Sequence, residues 1–130
     1  MRVFSRSGLP TVRLGGEVAA YIFDGEQHGG LSASAFVVDL AEGTGPPPHT
    51  HPYDEVFLVL EGVVRLVAGG EEVDASPEEV CVVEAGVPHS FTNVGPGRAR
   101  LVNVHTASRV VTEFVREATA DGSYEYRHTS

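Results

Sequence analysis

The sequence predicts an all-β fold, a sandwich or barrel, from three observations. Short segments rich in Val, Phe, Leu and Ile succeed one another, turn residues interrupt them every ten residues or so, and helical periodicity is confined to residues 110–118. The chain carries 15 glycines and 8 prolines in 130 residues, a density of breakers that many short strands require and long helices do not. That length suits one domain with a core of its own, and no repeat or linker divides it.

Taken in order, residues 18–23, 32–40, 55–60, 63–67, 80–84, 89–93 and 99–106 read as strands, each short and β-branched or aromatic. Asp24-Gly25, Gly29-Gly30, Glu42-Gly43, Ala68-Gly69-Gly70 and Gly95-Pro96-Gly97 supply turn chemistry between them. Residues 110–118 place Val111, Phe114 and Val115 on one face and are expected to form the one short helix. The polar tail at 119–130, with Gly122, is expected to be loose or to pack late.

The formal charge is −9, from nine arginines against eighteen acidic residues, with no lysine. A phosphate backbone or an anionic membrane needs clustered positive charge, so neither nucleic acid nor membrane is an expected partner. Schiff-base chemistry on a lysine is excluded. The acidic run Glu71, Glu72, Asp74, Glu78, Glu79, Glu84 reads as a solvated turn and a charged strand edge. The lone Cys81, within Val80-Cys81-Val82-Val83, permits no internal disulfide and reads as a small core residue. The N-terminus lacks the apolar run of a signal peptide, and a cytoplasmic protein is the expectation.

Two windows carry chemistry. In Pro46-Pro47-Pro48-His49-Thr50-His51-Pro52-Tyr53-Asp54-Glu55, the two histidines stand two apart and face one way on an extended segment. The prolines stiffen the approach and cannot continue a sheet ladder. Glu55 follows and opens the longest apolar strand. In Gly86-Val87-Pro88-His89-Ser90-Phe91-Thr92-Asn93, His89 offers a third imidazole from a separate strand. Three imidazoles and one carboxylate form a donor set for one divalent transition metal, Fe, Mn, Ni, Co, Cu or Zn, with coordination positions left open.

These windows resemble the cupin superfamily. Its first motif, Gly, five residues, His-x-His, three or four residues, Glu, six residues, Gly, is met by Gly43, His49, His51, Glu55 and Gly62. Its second is met by Gly86, His89 and Asn93, with Glu84 where Pro is usual and Glu78 where the first Gly is usual. The text around residues 26–62 is also similar to small single-domain cupins of the quercetin-dioxygenase type. The resemblance implies a double-stranded β-helix (a jelly-roll barrel) over about 11–107, a C-terminal extension at 108–130, and His49, His51, Glu55 and His89 as ligands of one metal, iron first.

Strand parity brings Phe57 and Val59 inward with Glu55, and Phe91 and Asn93 inward with His89, so Phe57 and Phe91 are candidates for an apolar wall beside a substrate. Asn103 and His105 share one face of their strand. If that face is the pocket, His105 is a candidate general acid-base and Asn103 a substrate contact; if it faces solvent, neither has chemistry. Tyr53, between the ligands, is a candidate rim residue, and His28 and His128 read as surface. The expected function is a metal-dependent enzyme on a small organic molecule, most simply a dioxygenase. A non-redox isomerase, cyclase or decarboxylase and a non-catalytic ligand-binding barrel are the alternatives. The absence of an accompanying DNA-binding segment speaks against a regulator. Exposed sheet edges and apolar outer faces predict a homodimer.

Overall fold

The computed structural model describes residues 1–115 and 126–129. Among these, twelve strands build two antiparallel sheets of six: β1 (Thr11–Leu14), β2 (Glu17–Phe23), β3 (Ser34–Leu40), β4 (His49–Thr50), β5 (Glu55–Glu61), β6 (Val64–Ala68), β7 (Glu71–Ala75), β8 (Val80–Val83), β9 (His89–Asn93), β10 (Ala99–His105), β11 (Thr112–Val115) and β12 (Tyr126–Thr129). The first sheet runs β1-β2-β3-β10-β5-β8 and the second β12-β11-β4-β9-β6-β7. Successive stretches of chain alternate between the sheets, the wrapping of a jelly roll. No helix among the described residues is long and apolar enough to cross a membrane.

All seven expected strands are present within two residues at either end. Alternation along them is regular: Glu55, Phe57 and Val59 of β5, His89, Phe91 and Asn93 of β9, and Ala99, Leu101, Asn103 and His105 of β10 are all buried. Part of the interior is hydrocarbon, with Val38, Leu40, Val64, Leu66, Val83 and Leu101 at 5% exposure or less. Nine polar or charged residues are buried as well, four of them histidines. A small barrel tolerates so many only where they have partners or a ligand.

Turn chemistry explains the connections. Gly69 and Gly70 have φ of 55° and 88°, the pair of positive values that a two-residue hairpin between β6 and β7 requires. Gly62 closes β5 onto β6 at φ 81°, and a Cβ there would stand 2.7 Å from the Arg98 carbonyl oxygen. Asn93, fully buried, clamps the same end: Nδ2 donates to the Leu40 and Gly97 carbonyls at 2.9 and 2.8 Å, and Oδ1 accepts from the Gly95 amide at 2.8 Å. The acidic run spans edge strand β7, the turn after it and, at Glu84, the residue following β8, and Arg65 of β6 answers Asp74 across the ladder at 2.8 Å. Cys81 packs half-buried against the core, and burial, then the charge of Glu79, pushes its thiol up.

Three expectations are corrected. The segment expected as a helix from 110 forms strand β11 at Thr112–Val115; residues 116–118 lie outside the described residues. Val110, Val111, Thr112 and Val115 are β-branched, and the short β4 offers an open edge for them to pair with. Of the tail, expected to be loose or to pack late, Tyr126–Thr129 is not loose but pairs as β12 with β11; residues 119–125 and 130 are outside the described set. His28 is half-buried rather than on the surface, stacked on Phe23 at 4.5 Å and bonded through Nδ1 to the Asp24 carbonyl at 2.7 Å. The side chain of His128 is not among those described.

Candidate metal centre

His49 lies on β4, a strand of two residues held on both sides, by His89 of β9 and by Phe114 of β11. The prolines before it bring no N–H to compete, and their carbonyls are used instead. Pro47 accepts from the His49 ring and Pro48 from the Val115 amide. His51 follows on the same side, its carbonyl taken by the Gly86 amide at 2.8 Å, which ties the two motif windows together. Asp54 fixes the approach to Glu55. Its carboxylate accepts from the Ala85 amide at 2.9 Å, and its carbonyl accepts from the Thr106 hydroxyl at 2.8 Å.

These elements bring His49, His51, Glu55 and His89 together, all buried, with ligand-capable atoms within 4.8 Å of one another. The orientation of the rings is more telling than their proximity. Nδ1 of His49 meets the Pro47 carbonyl at 2.8 Å, Nδ1 of His51 the Val111 carbonyl at 2.7 Å, and Nδ1 of His89 the Val87 carbonyl at 2.9 Å. A carbonyl only accepts, so each ring carries its proton on Nδ1 and turns Nε2 inward. Hydrogen bonding of the remote ring nitrogen is the usual support of a metal-ligating imidazole.

Glu55 is where the inward nitrogens meet. Its Oε1 lies 3.1 Å from His51 Nε2 and 3.0 Å from His89 Nε2. Neutral rings locked in this tautomer would turn lone pairs on a carboxylate oxygen, which is repulsive; protons or a cation among the four groups resolve it. Donor atoms each about 2.1 Å from one ion and at right angles stand about 3.0 Å apart, so the spacing fits a transition metal. Burial works against a charged Glu55, but in the metal-free site the hydrogen bond from His105, with those that an Nε2–H of His51 and of His89 would donate, outweighs it and holds the carboxyl well below the usual carboxylate range. Burial, then the neighbouring His89, lowers His49 from 6.5 to about 4, so it stands unprotonated at neutral pH, as a metal ligand must.

His105 is placed differently. It is 1% exposed, stacked on Phe36 with ring centres 4.7 Å apart. Its Nδ1 lies 2.6 Å from the Tyr53 hydroxyl, which itself accepts the Val111 amide at 3.2 Å. Burial pushes the Tyr53 phenol above its ordinary value, so it stays protonated and donates to His105. The His105 proton therefore sits on Nε2 and is shared with Glu55 Oε2 at 3.3 Å. Burial lowers the His105 pKa, and the hydrogen bond to Glu55 opposes it. Both ring nitrogens of His105 are thus engaged, one by Tyr53 and the other by Glu55.

A cavity of about 270 Å³ opens beside the cluster, touching His49, His51, Glu55 and His105. Phe91 and Asn103 line it as expected from sequence. Phe57 does not: it lies edge-on beneath His89 and Phe91, in the core. Tyr53 does not line it either: its ring stacks on His51 with centres 5.2 Å apart, and its hydroxyl bonds to His105 and Val111. The rest of the wall was missed, and it comes from Val12 and Leu14 of β1, Ile22 of β2, Phe36 of β3 and Thr112 and Phe114 of β11. The alternation of Val12 and Leu14 within Thr11–Leu14 was the available signal for the first of these.

Two antiparallel sheets wrapped around a buried three-histidine, one-glutamate cluster define a small jelly-roll barrel suited to a metal. Residues 36–105 match the cupin domain family, and the chain belongs to it. It is 30% identical over 102 residues, 78% of this chain and 68% of the relative, to the tetracenomycin polyketide synthase protein TcmJ of Streptomyces glaucescens. It is 32% identical over 56 residues to the HTH-type transcriptional regulator PuuR of Escherichia coli (strain K12), a match over 43% of this chain that spans only 30% of the regulator. Among solved structures, a recombinant oxalate oxidase in complex with glycolate superimposes with a TM-score of 0.71 at 22% identity, over 86% of this chain and 62% of that one, a likeness of fold.

Proposed function

We propose that this chain is a metal-dependent enzyme acting on a small organic molecule, with iron-dependent, dioxygenase-like chemistry as the leading form. The observation that carries it is the convergence of three Nδ1-locked imidazoles and Glu55 on one side of an apolar cavity. A divalent transition metal held by His49, His51, Glu55 and His89 supplies a Lewis acid with open positions for oxygen or substrate. In this reading His105 and Tyr53 orient Glu55 and do not exchange protons with substrate, while Phe91 and Asn103 shape the bound molecule. The oxalate oxidase and the polyketide synthase protein support chemistry on small organic molecules.

The same donor set serves non-redox chemistry, and the regulator among the relatives favours a ligand-binding barrel without turnover. Metal analysis after reconstitution, followed by oxygen uptake with catechol, flavonol and diketone panels, separates the readings. Uptake that requires ferrous iron supports the dioxygenase. Turnover under argon supports the Lewis-acid enzyme, and tight ligand retention with neither supports the binding module. A reconstituted protein that holds no transition metal sinks both enzymatic readings.

We also propose a homodimer. On the outer face of the first sheet, Tyr21, Val37, Val102, Leu58 and Val80 form one cross-strand row, and Phe23, Ala35, Val104, Val56 and Val82 the next. Arg6 lies over Tyr21 and Phe4 against Phe23 at one end of these rows; at the other, Val80 and Val82 are more than half exposed. A face of this kind is what an isologous interface covers.

A further inference from the structure

The carboxamide of Asn103 is 2% exposed and lines the cavity, yet its Oδ1 has no hydrogen-bond partner. Every other buried polar side chain of the site is engaged: the ligand histidines through Nδ1, His105 through both nitrogens, and Glu55 through both oxygens. The residues directly opposite Asn103 on the two flanking strands, Phe36 and Phe57, offer it no polar partner. A buried amide oxygen left unpaired costs about 1–3 kcal/mol, which a donor beyond the described residues would recover.

The rest of the wall limits what brings that donor. Val12, Leu14, Ile22, Phe36, Val38 and Phe114 make it hydrocarbon, and among the described residues no arginine borders it. A small carboxylate such as glycolate would find no counter-charge among those residues beyond the metal itself. The volume, about 270 Å³, is less than twice the roughly 150 Å³ of an apolar cavity that encloses benzene, which leaves room for one or two rings.

Resting on the enzymatic reading above, we infer that the substrate is an uncharged, predominantly apolar molecule of one or two rings whose hydroxyl group bonds to Asn103. A hydroxyl both donates and accepts, so it answers either end of the carboxamide. Asn103 is thereby a specificity residue, placed about the metal centre without belonging to it.

The test uses 2-naphthol, naphthalene and glycolate as probes, titrated by fluorescence or calorimetry into the full chain, metal-free and zinc-loaded. The metal-free chain is expected to bind 2-naphthol about tenfold tighter than naphthalene, the worth of one hydrogen bond, and to ignore glycolate. Asn103→Leu is expected to erase that ratio while leaving zinc stoichiometry unchanged. Equal binding of the two ring compounds by the unaltered chain overturns the inference, whether or not the variant folds; so does a glycolate preference without metal. Zinc-loading is scored separately, so a chain that binds 2-naphthol but takes up no metal defeats the enzymatic reading and leaves the cavity assignment standing.

Discussion

Replacing His105 tests whether the site depends on a residue that is not itself a ligand. His105→Leu keeps the side-chain volume but removes the Nε2–H facing Glu55 Oε2 and the acceptor for the Tyr53 hydroxyl. Loss of such an outer hydrogen bond typically weakens metal binding by 10–100-fold, about 1.4–2.7 kcal/mol. The contact at 3.3 Å is long for N–H···O, which points to the lower end, about tenfold. Chelator competition against cobalt or zinc reads the affinity, and the cobalt absorption envelope reads the ligand count. His105→Gln offers the same donor and acceptor on one amide and is expected to restore the affinity with the envelope unchanged. If Leu leaves a folded protein binding metal as tightly as before, or if Gln falls as far as Leu, the assignment of His105 as the support of Glu55 is wrong.

The metal-free protein is expected to lose stability as pH falls from about 6.5 to 4, because His49 is held neutral in the fold while its unfolded counterpart takes up a proton across that window. A drop from 6.5 to about 4 corresponds to about 3 kcal/mol, with the depressed Glu55 carboxyl adding to the loss on the acid side; urea unfolding at pH 7 and pH 4.5 checks it, and equal stability refutes it. Asn93→Ala removes three hydrogen bonds at a sealed site and strands two carbonyls, and is expected to cost about 2–4 kcal/mol in thermal or urea unfolding. Val80→Glu combined with Leu58→Glu is expected to convert a dimer to a monomer in light scattering without changing metal content; a chain already monomeric at micromolar concentration rejects the dimer outright.

The four donors were legible because their requirements are local. Histidines two apart on an extended segment face one way, a glutamate at the head of a strand faces inward, and the motif glycines Gly43, Gly62 and Gly86 stand at positive φ in connections that carry the chain from one sheet to the other. Parity carried over to β10, where Asn103 and His105 are buried as that alternation allows. Parity fixes a face, however, and not a neighbour. Phe57 shares the inward face of Glu55 yet sits beneath His89, because the cavity opens toward β1, β2 and β3, away from it. The helix expected from residue 110 failed for a similar reason: Val111, Phe114 and Val115 satisfy a helical period and a strand equally over so short a span, and the open edge of β4 decided between them.

That edge pairing also explains why the cavity cannot be deduced from the metal motif alone. The family match ends at residue 105, but the carbonyl that orients His51 belongs to Val111, and the Tyr53 hydroxyl that serves His105 is itself fixed by the Val111 amide. Thr112 and Phe114 then form one wall of the cavity, opposite Val12, Leu14 and Ile22, which precede residue 36. The stretch shared with the family therefore supplies the donors, and the flanking strands supply the tautomer of one donor and most of the hydrocarbon that a substrate would meet. Exchange of β1, β2 or β11 can change the molecule admitted while the same four side chains remain, so ligand identity and substrate identity are separable in this barrel, and Asn103 stands at the boundary between the two.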